Sequence, residues 1–97
     1  MAVFHPDHDE LHGFTVCIET TGPLTVIGRW HHEEQGQVLV NDAAVHVEGE
    51  AKESRADFIK QAATWGVSAT HPHYHVERAV ICSVRKLGEM AKDIRGW

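Results

Sequence analysis

"TVCIETTGPLTVIGRWHHEEQGQVLVNDAAVHV", residues 15–47, decides the architecture. Reading it with its flank, "GFTVCIETTG" (13–22) alternates Phe14, Val16 and Ile18 with Thr15, Cys17 and Glu19. Period-two alternation with β-branched residues signals a strand. "TGP" then supplies turn chemistry. "PLTVIGRW" (23–30) reads as the second strand, with Leu24 and Val26 on one face. Gly28 inside it predicts a bulge or sharp bend, a device small barrels need to close. "HHEEQG" (31–36) is polar, ends in glycine and reads as the hairpin loop. "QVLVND" (37–42) is the third strand, and "AAVHVEG" (43–49) continues it after a bend at Asn41–Asp42.

Downstream the period changes. In "AKESRADFIKQAATWG" (51–66), Ser54 followed by Asp57 resembles a capping box. Phe58, Ile59, Ala62 and Ala63 form an apolar stripe, and Gly66 sits where a C-terminal cap belongs. The pattern predicts a helix over 54–65 with Trp65 packed at its end. Residues 70–87 return to extended structure as strands four and five. In "AVICSVRKL" (79–87), Val80, Cys82 and Val84 oppose Ile81, Ser83 and Arg85. Residues 1–12 read as an N-terminal extension, and 88–97 as a weakly helical or disordered tail. The expected fold is mainly β: one domain over 1–97, a small, strongly bent five-stranded SH3-like barrel with a helix inserted between strands three and four. The alternative is a helix packed on an open antiparallel sheet.

The chain of 97 residues fits one domain, and its formal charge of −5 disfavours non-specific attraction to phosphate backbones. That charge is uneven. Residues 1–50 hold nine acidic residues and one arginine, giving −8, while residues 51–97 hold eight basic and five acidic, giving +3. Such asymmetry suits head-to-tail association. No apolar run is long enough for a membrane span. "MAVFHPDHDELHG" lacks the basic start and apolar stretch of a signal peptide, so the expected location is the cytoplasm. Cys17 and Cys82 lie far apart in apolar runs and read as buried reduced thiols.

Residues 15–47 resemble the first signature of Sm-like proteins through Gly22, Gly28, Glu33, Gln37, Val38, Leu39, Asp42 and Ala43. Gln37 stands where that family has asparagine. "HYHVERAVICSV" (74–85 with its preceding histidine) is similar to the second signature, with Arg78 in place of its arginine and Ala79 in place of its glycine. The resemblance implies a non-enzymatic binding module that forms a homo-oligomeric ring of five to seven copies. Strand four of one copy would pair with strand five of the next, because an unpaired edge seeks a partner. The edges expected to do so are "HYHV" and "AVICSV". Single-stranded RNA would bind near the pore through Glu33, Gln37 and Arg78. No cofactor is implied.

Nine histidines in this length require a separate reading. His71, His73 and His75 alternate in "THPHYH" (70–75), so on a strand they share one face about 7 Å apart. Imidazoles so spaced can share zinc, copper or nickel, which makes these three the candidate metal ligands. The simpler reading is a solvated strand face. His31 and His32, being adjacent, would face opposite sides of a strand. His5, His8 and His12 would share a helical face. Titration of these groups near pH 6 gives a second functional reading, a histidine-rich metal-binding or pH-responsive small barrel. Catalysis has little support: no nucleophile elbow, His-Glu-x-x-His or phosphate-loop pattern occurs, and Cys17 lies within a strand. Trp30, Tyr74 and Trp97 are aromatic candidates for base stacking.

Overall fold

The computed structural model describes residues 11–95, and the histidines at 5 and 8 and Trp97 lie outside that range. Its elements are β1 (Thr15–Thr20), β2 (Leu24–Glu34), β3 (Gln37–Val47), α1 (Arg55–Trp65), β4 (His71–Glu77), β5 (Ile81–Lys86) and α2 (Leu87–Arg95). All five strands form one antiparallel sheet in the order β4-β3-β2-β1-β5. The two edges are therefore the consecutive strands β4 and β5, joined only by a 3-10 turn at Arg78–Val80.

That connection forces curvature. In a flat sheet the outer strands would lie about 19 Å apart, four gaps of about 4.8 Å. A 3-10 turn advances about 2 Å per residue, so the path from Glu77 to Ile81 covers only about 8 Å. The sheet must curl until its edges approach at this corner. The core agrees: Val16, Ile18, Val26, Trp30, Val38, Val40, Ala43 and Val76 form one buried cluster, and Tyr74 of β4 and Val84 of β5 both pack against it. Opposite edges thus share one core. Among the described residues no ladder joins β4 to β5, so the sheet is open where a closed barrel was expected.

Long strands β2 and β3 need two irregularities to follow this curl. The register shifts between Ile27 and Arg29, where Asp42 on β3 takes a positive φ of 49°. Gly28 lies here because the strands nearly touch. A Cβ on it would come within 2.6 Å of Val40 Cγ1 and 2.9 Å of the Asn41 carbonyl oxygen. A second shift, between Trp30 and His32, leaves His31 as an extra residue on β2.

The expected loop at 31–36 is mostly strand. β2 continues to Glu34, and the turn is only Gln35–Gly36, whose φ values of 54° and 76° are both positive, as a type I′ hairpin requires. The inserted helix appears where its signals placed it. The Ser54 side chain accepts from the Asp57 N–H, and the Gly66 N–H donates to the Ala62 carbonyl. Trp65 does not pack: it is 84% exposed, because the apolar stripe faces the sheet through Ile59 and Ala62 while Trp65 lies off that line. The tail forms α2, since Leu87 and Met90, one turn apart, bury together with Ile59 and Ala62. These helices cover Cys17 and Ile27 on the face opposite the larger core, which makes β1 and β2 buried on both sides. Cys82, by contrast, is exposed at the β5 edge, contrary to the sequence expectation. No helix among the described residues is long and apolar enough to cross a membrane.

Candidate functional site: the β2–β3 hairpin tip and the corner between β4 and β5

The hairpin tip and the 3-10 corner meet. The Arg78 backbone N–H donates to the Gly36 carbonyl at 2.9 Å, and the Arg78 guanidinium Nε lies 3.7 Å from Glu33 Oε2. Gln37 is in register with Glu34 on β2 and Glu77 on β4. The structure therefore brings Glu33, Gln37 and Arg78 to one corner, although 45 positions separate the first from the last. The Glu33 and Arg78 side chains are only 15% and 26% exposed. Glu33 Oε1 is buried with no hydrogen-bond partner among the described residues. Glu33, Glu34 and Glu77 outnumber Arg78, so this corner carries net negative charge.

A polar hollow of about 220 Å³ adjoins it, lined by His32, Glu34, Gln35, Gln37, Leu39 and His75. His32 Nε2 donates to Glu34 Oε1 at 3.1 Å across its rim.

His71, His73 and His75 are all exposed on β4, the outermost strand. Each is turned to different company. His71 Nδ1 lies 2.9 Å from the Thr70 hydroxyl, and its ring meets Tyr74 edge-on at 5.3 Å. His73 Nδ1–H donates to Asn41 Oδ1 at 2.9 Å. His75 faces Leu39 in the hollow. The described residues contain no group of three or more histidine, cysteine, aspartate or glutamate side chains placed to share a metal ion.

A different histidine group forms one strand further in. The rings of His12 and His31 lie 5.2 Å apart, and those of His31 and His32 4.6 Å apart. Adjacent residues on a regular strand diverge, but the extra residue at His31 breaks that alternation. His12 Nδ1–H donates to the His31 carbonyl at 2.7 Å, and Gly13 and Phe14 exchange backbone bonds with Trp30. These contacts moor the entry segment to the end of β2. Desolvation, then the positive charge that His32, His12 and His73 would carry, holds the His31 imidazole below its ordinary value. Residue spacing gave no sign of this group, since it depends on the bulge.

The buried groups under α1 do structural work. His46 is 2% exposed, stacks on Phe58 and donates from Nε2 to the Glu53 carbonyl at 2.8 Å. Burial pushes the Cys17 thiol up to about 12, with Glu19 adding to the shift, so it remains a protonated, unreactive core group. Trp30, one candidate for base stacking, is 2% exposed and belongs to the core, while Tyr74 is half-buried against it.

No protein-family model matches this chain, and no curated protein matches it. Among solved structures fifteen chains match. One is a chain in the crystal structure of the NatC complex bound to CoA, with a TM-score of 0.55 and 10% identity. The match covers 97% of this chain and 99% of that one, so the likeness extends over both from end to end. At that identity it is a likeness of fold.

Proposed function

We propose that this chain is a non-enzymatic, Sm-like assembly module whose curled sheet joins copies edge to edge, with the Glu33–Gln37–Arg78 corner as its ligand contact. The observation that carries this reading is the strand order. Two consecutive strands, β4 and β5, form opposite and unpaired rims of one sheet, so each copy offers two different edges. Different edges make a head-to-tail contact, and head-to-tail contacts that close generate rings. The convergence of Glu33, Gln37 and Arg78 supports the resemblance, since these residues come from its two signatures. That the NatC chain of like fold works inside a complex is compatible with an assembling role.

RNA is the weaker half of the proposal, because three carboxylates surround Arg78 and phosphate contacts dominate RNA affinity. Native mass tests assembly. Five to seven copies are expected, and a monomer at every concentration overturns the reading. Val84→Lys places a charge on the β5 rim where it meets the core, and should abolish the assembly. Retention on oligo-U or oligo-A resin tests the ligand: none at about 50 mM salt, where phosphate contacts are strongest, removes RNA. The imidazoles of His12, His31 and His32 favour a second reading, a pH-responsive protein on the same scaffold.

A further inference from the structure

We propose that the β4 rim is a proton-gated joint: neutral His71, His73 and His75 admit the β5 rim of a second copy, and their protonation expels it. This rests on the edge-to-edge reading above. The argument begins with what each rim carries. β4 presents three exposed imidazoles and Glu77, whereas β5, "ICSVRK", carries Arg85 and Lys86 and no carboxylate. His73 and His75 are in register with Asn41 and Leu39, which alternate with the core residues Val38 and Val40 and so lie on the face away from that core. Arg85 is in register with Cys17, which lies on that same face. Extending the sheet from one copy to the next therefore sets the histidine row beside the Arg85 row at about 4.8 Å between strands. Like charges facing across a ladder destabilise it.

Protonation gains little from within the chain. The groups that hold His71 and His73 are Thr70 and Asn41, both uncharged. β3 faces the row with Ala43, Asn41, Leu39 and Gln37. Of the nearby carboxylates, Asp42 is engaged by Arg29 and Glu34 by His32, which leaves Glu77 at the far end of the strand. His31, His32, His12 and Arg29 add positive charge from β2 and the entry segment in acid. Since His73 already donates from Nδ1, the incoming proton goes to Nε2 and makes the ring a cation beside Arg85.

Sedimentation and native mass at about pH 7.5 and pH 5.5, either side of the ordinary histidine value near 6.5, test this. The wild-type chain and a His71→Gln/His73→Gln/His75→Gln variant are compared, with circular dichroism at both pH values. Expected is a wild-type association at least about tenfold weaker in acid, the effect of one pKa unit, with strand signal intact and the variant assembled at both. A wild type that holds its mass at pH 5.5 overturns the gate, as does a variant that dissociates with it or a mass loss accompanied by unfolding. A monomer at pH 7.5 overturns the edge-to-edge reading and the gate with it.

Discussion

Single residues decide where this sheet can bend. Gly28 is legible as a special position in the sequence because glycine inside a strand pattern implies a bulge or a close backbone approach. The structure gives the cause: Val40 Cγ1 and the Asn41 carbonyl occupy the space a side chain would need. The nearer obstacle is a side-chain methyl, but the second is backbone and cannot rotate away. Gly28→Ala should therefore destabilise the fold by about 1–3 kcal/mol, the usual cost of overpacking. A urea titration would read this as a lower midpoint with an unchanged slope. Ser54, Asp57 and Gly66 were equally readable, since caps act within one turn of chain. Trp65 was not. A tryptophan following an apolar stripe suggests packing, yet only the direction in which the helix meets the sheet determines which side chains it buries. His46 also escaped notice, because burial against Phe58 is a tertiary contact with no local signature.

Among the elements, the strands were legible and their lengths were not. "HHEEQG" looks like a loop by composition, but β3 is long enough to hold β2 in register as far as Glu34. A polar sequence can remain a strand when its partner supplies the hydrogen bonds. The turn is then two residues, and Gln35 occupies the first with a left-handed backbone. That conformation costs an ordinary side chain about 1–2 kcal/mol, a penalty asparagine largely avoids. Gln35→Asn should thus stabilise the protein by about 1 kcal/mol, measured as a higher urea midpoint. A neutral or destabilising result would mean that Gln35 makes a contact worth more than the strain. α2 was underestimated for a related reason. Its sequence has two glycines nearby and only a short apolar set, and the helix is secured by Leu87 and Met90 meeting α1. Most helical stability in proteins comes from such packing, which sequence patterns record weakly in short segments.

At the scale of the molecule, the rims "HYHV" and "AVICSV" were identified from sequence as edge strands, and both are outermost in the sheet. The convergence of Glu33, Gln37 and Arg78 was anticipated only through a family resemblance, because no local rule joins a hairpin tip to a corner so distant in the chain. The crowding of His12, His31 and His32 was invisible until the bulge was known. It has a consequence for stability. Folding lowers the His31 value below that of the unfolded chain, so the unfolded chain takes up the proton first as pH falls. The contribution is therefore fully present above the ordinary value of about 6.5 and is lost as pH drops through and below it. Urea midpoints should decline from neutral towards pH 5, and His31→Gln should flatten the decline. An unchanged slope in that variant would show that other groups control the acid response.

The pairing of Val16 with Lys86 has a consequence for synthesis. Seventy positions separate these partners, so the outer side of β1 stays bare until nearly the whole chain has left the ribosome. Contacts between such remote segments form slowly, and open strand borders invite wrong partners in the interval. A chain truncated before β5 would expose β1, an apolar strand from the middle of the native sheet, as a permanent border. Loss of those last residues should therefore yield insoluble protein rather than a smaller soluble fold.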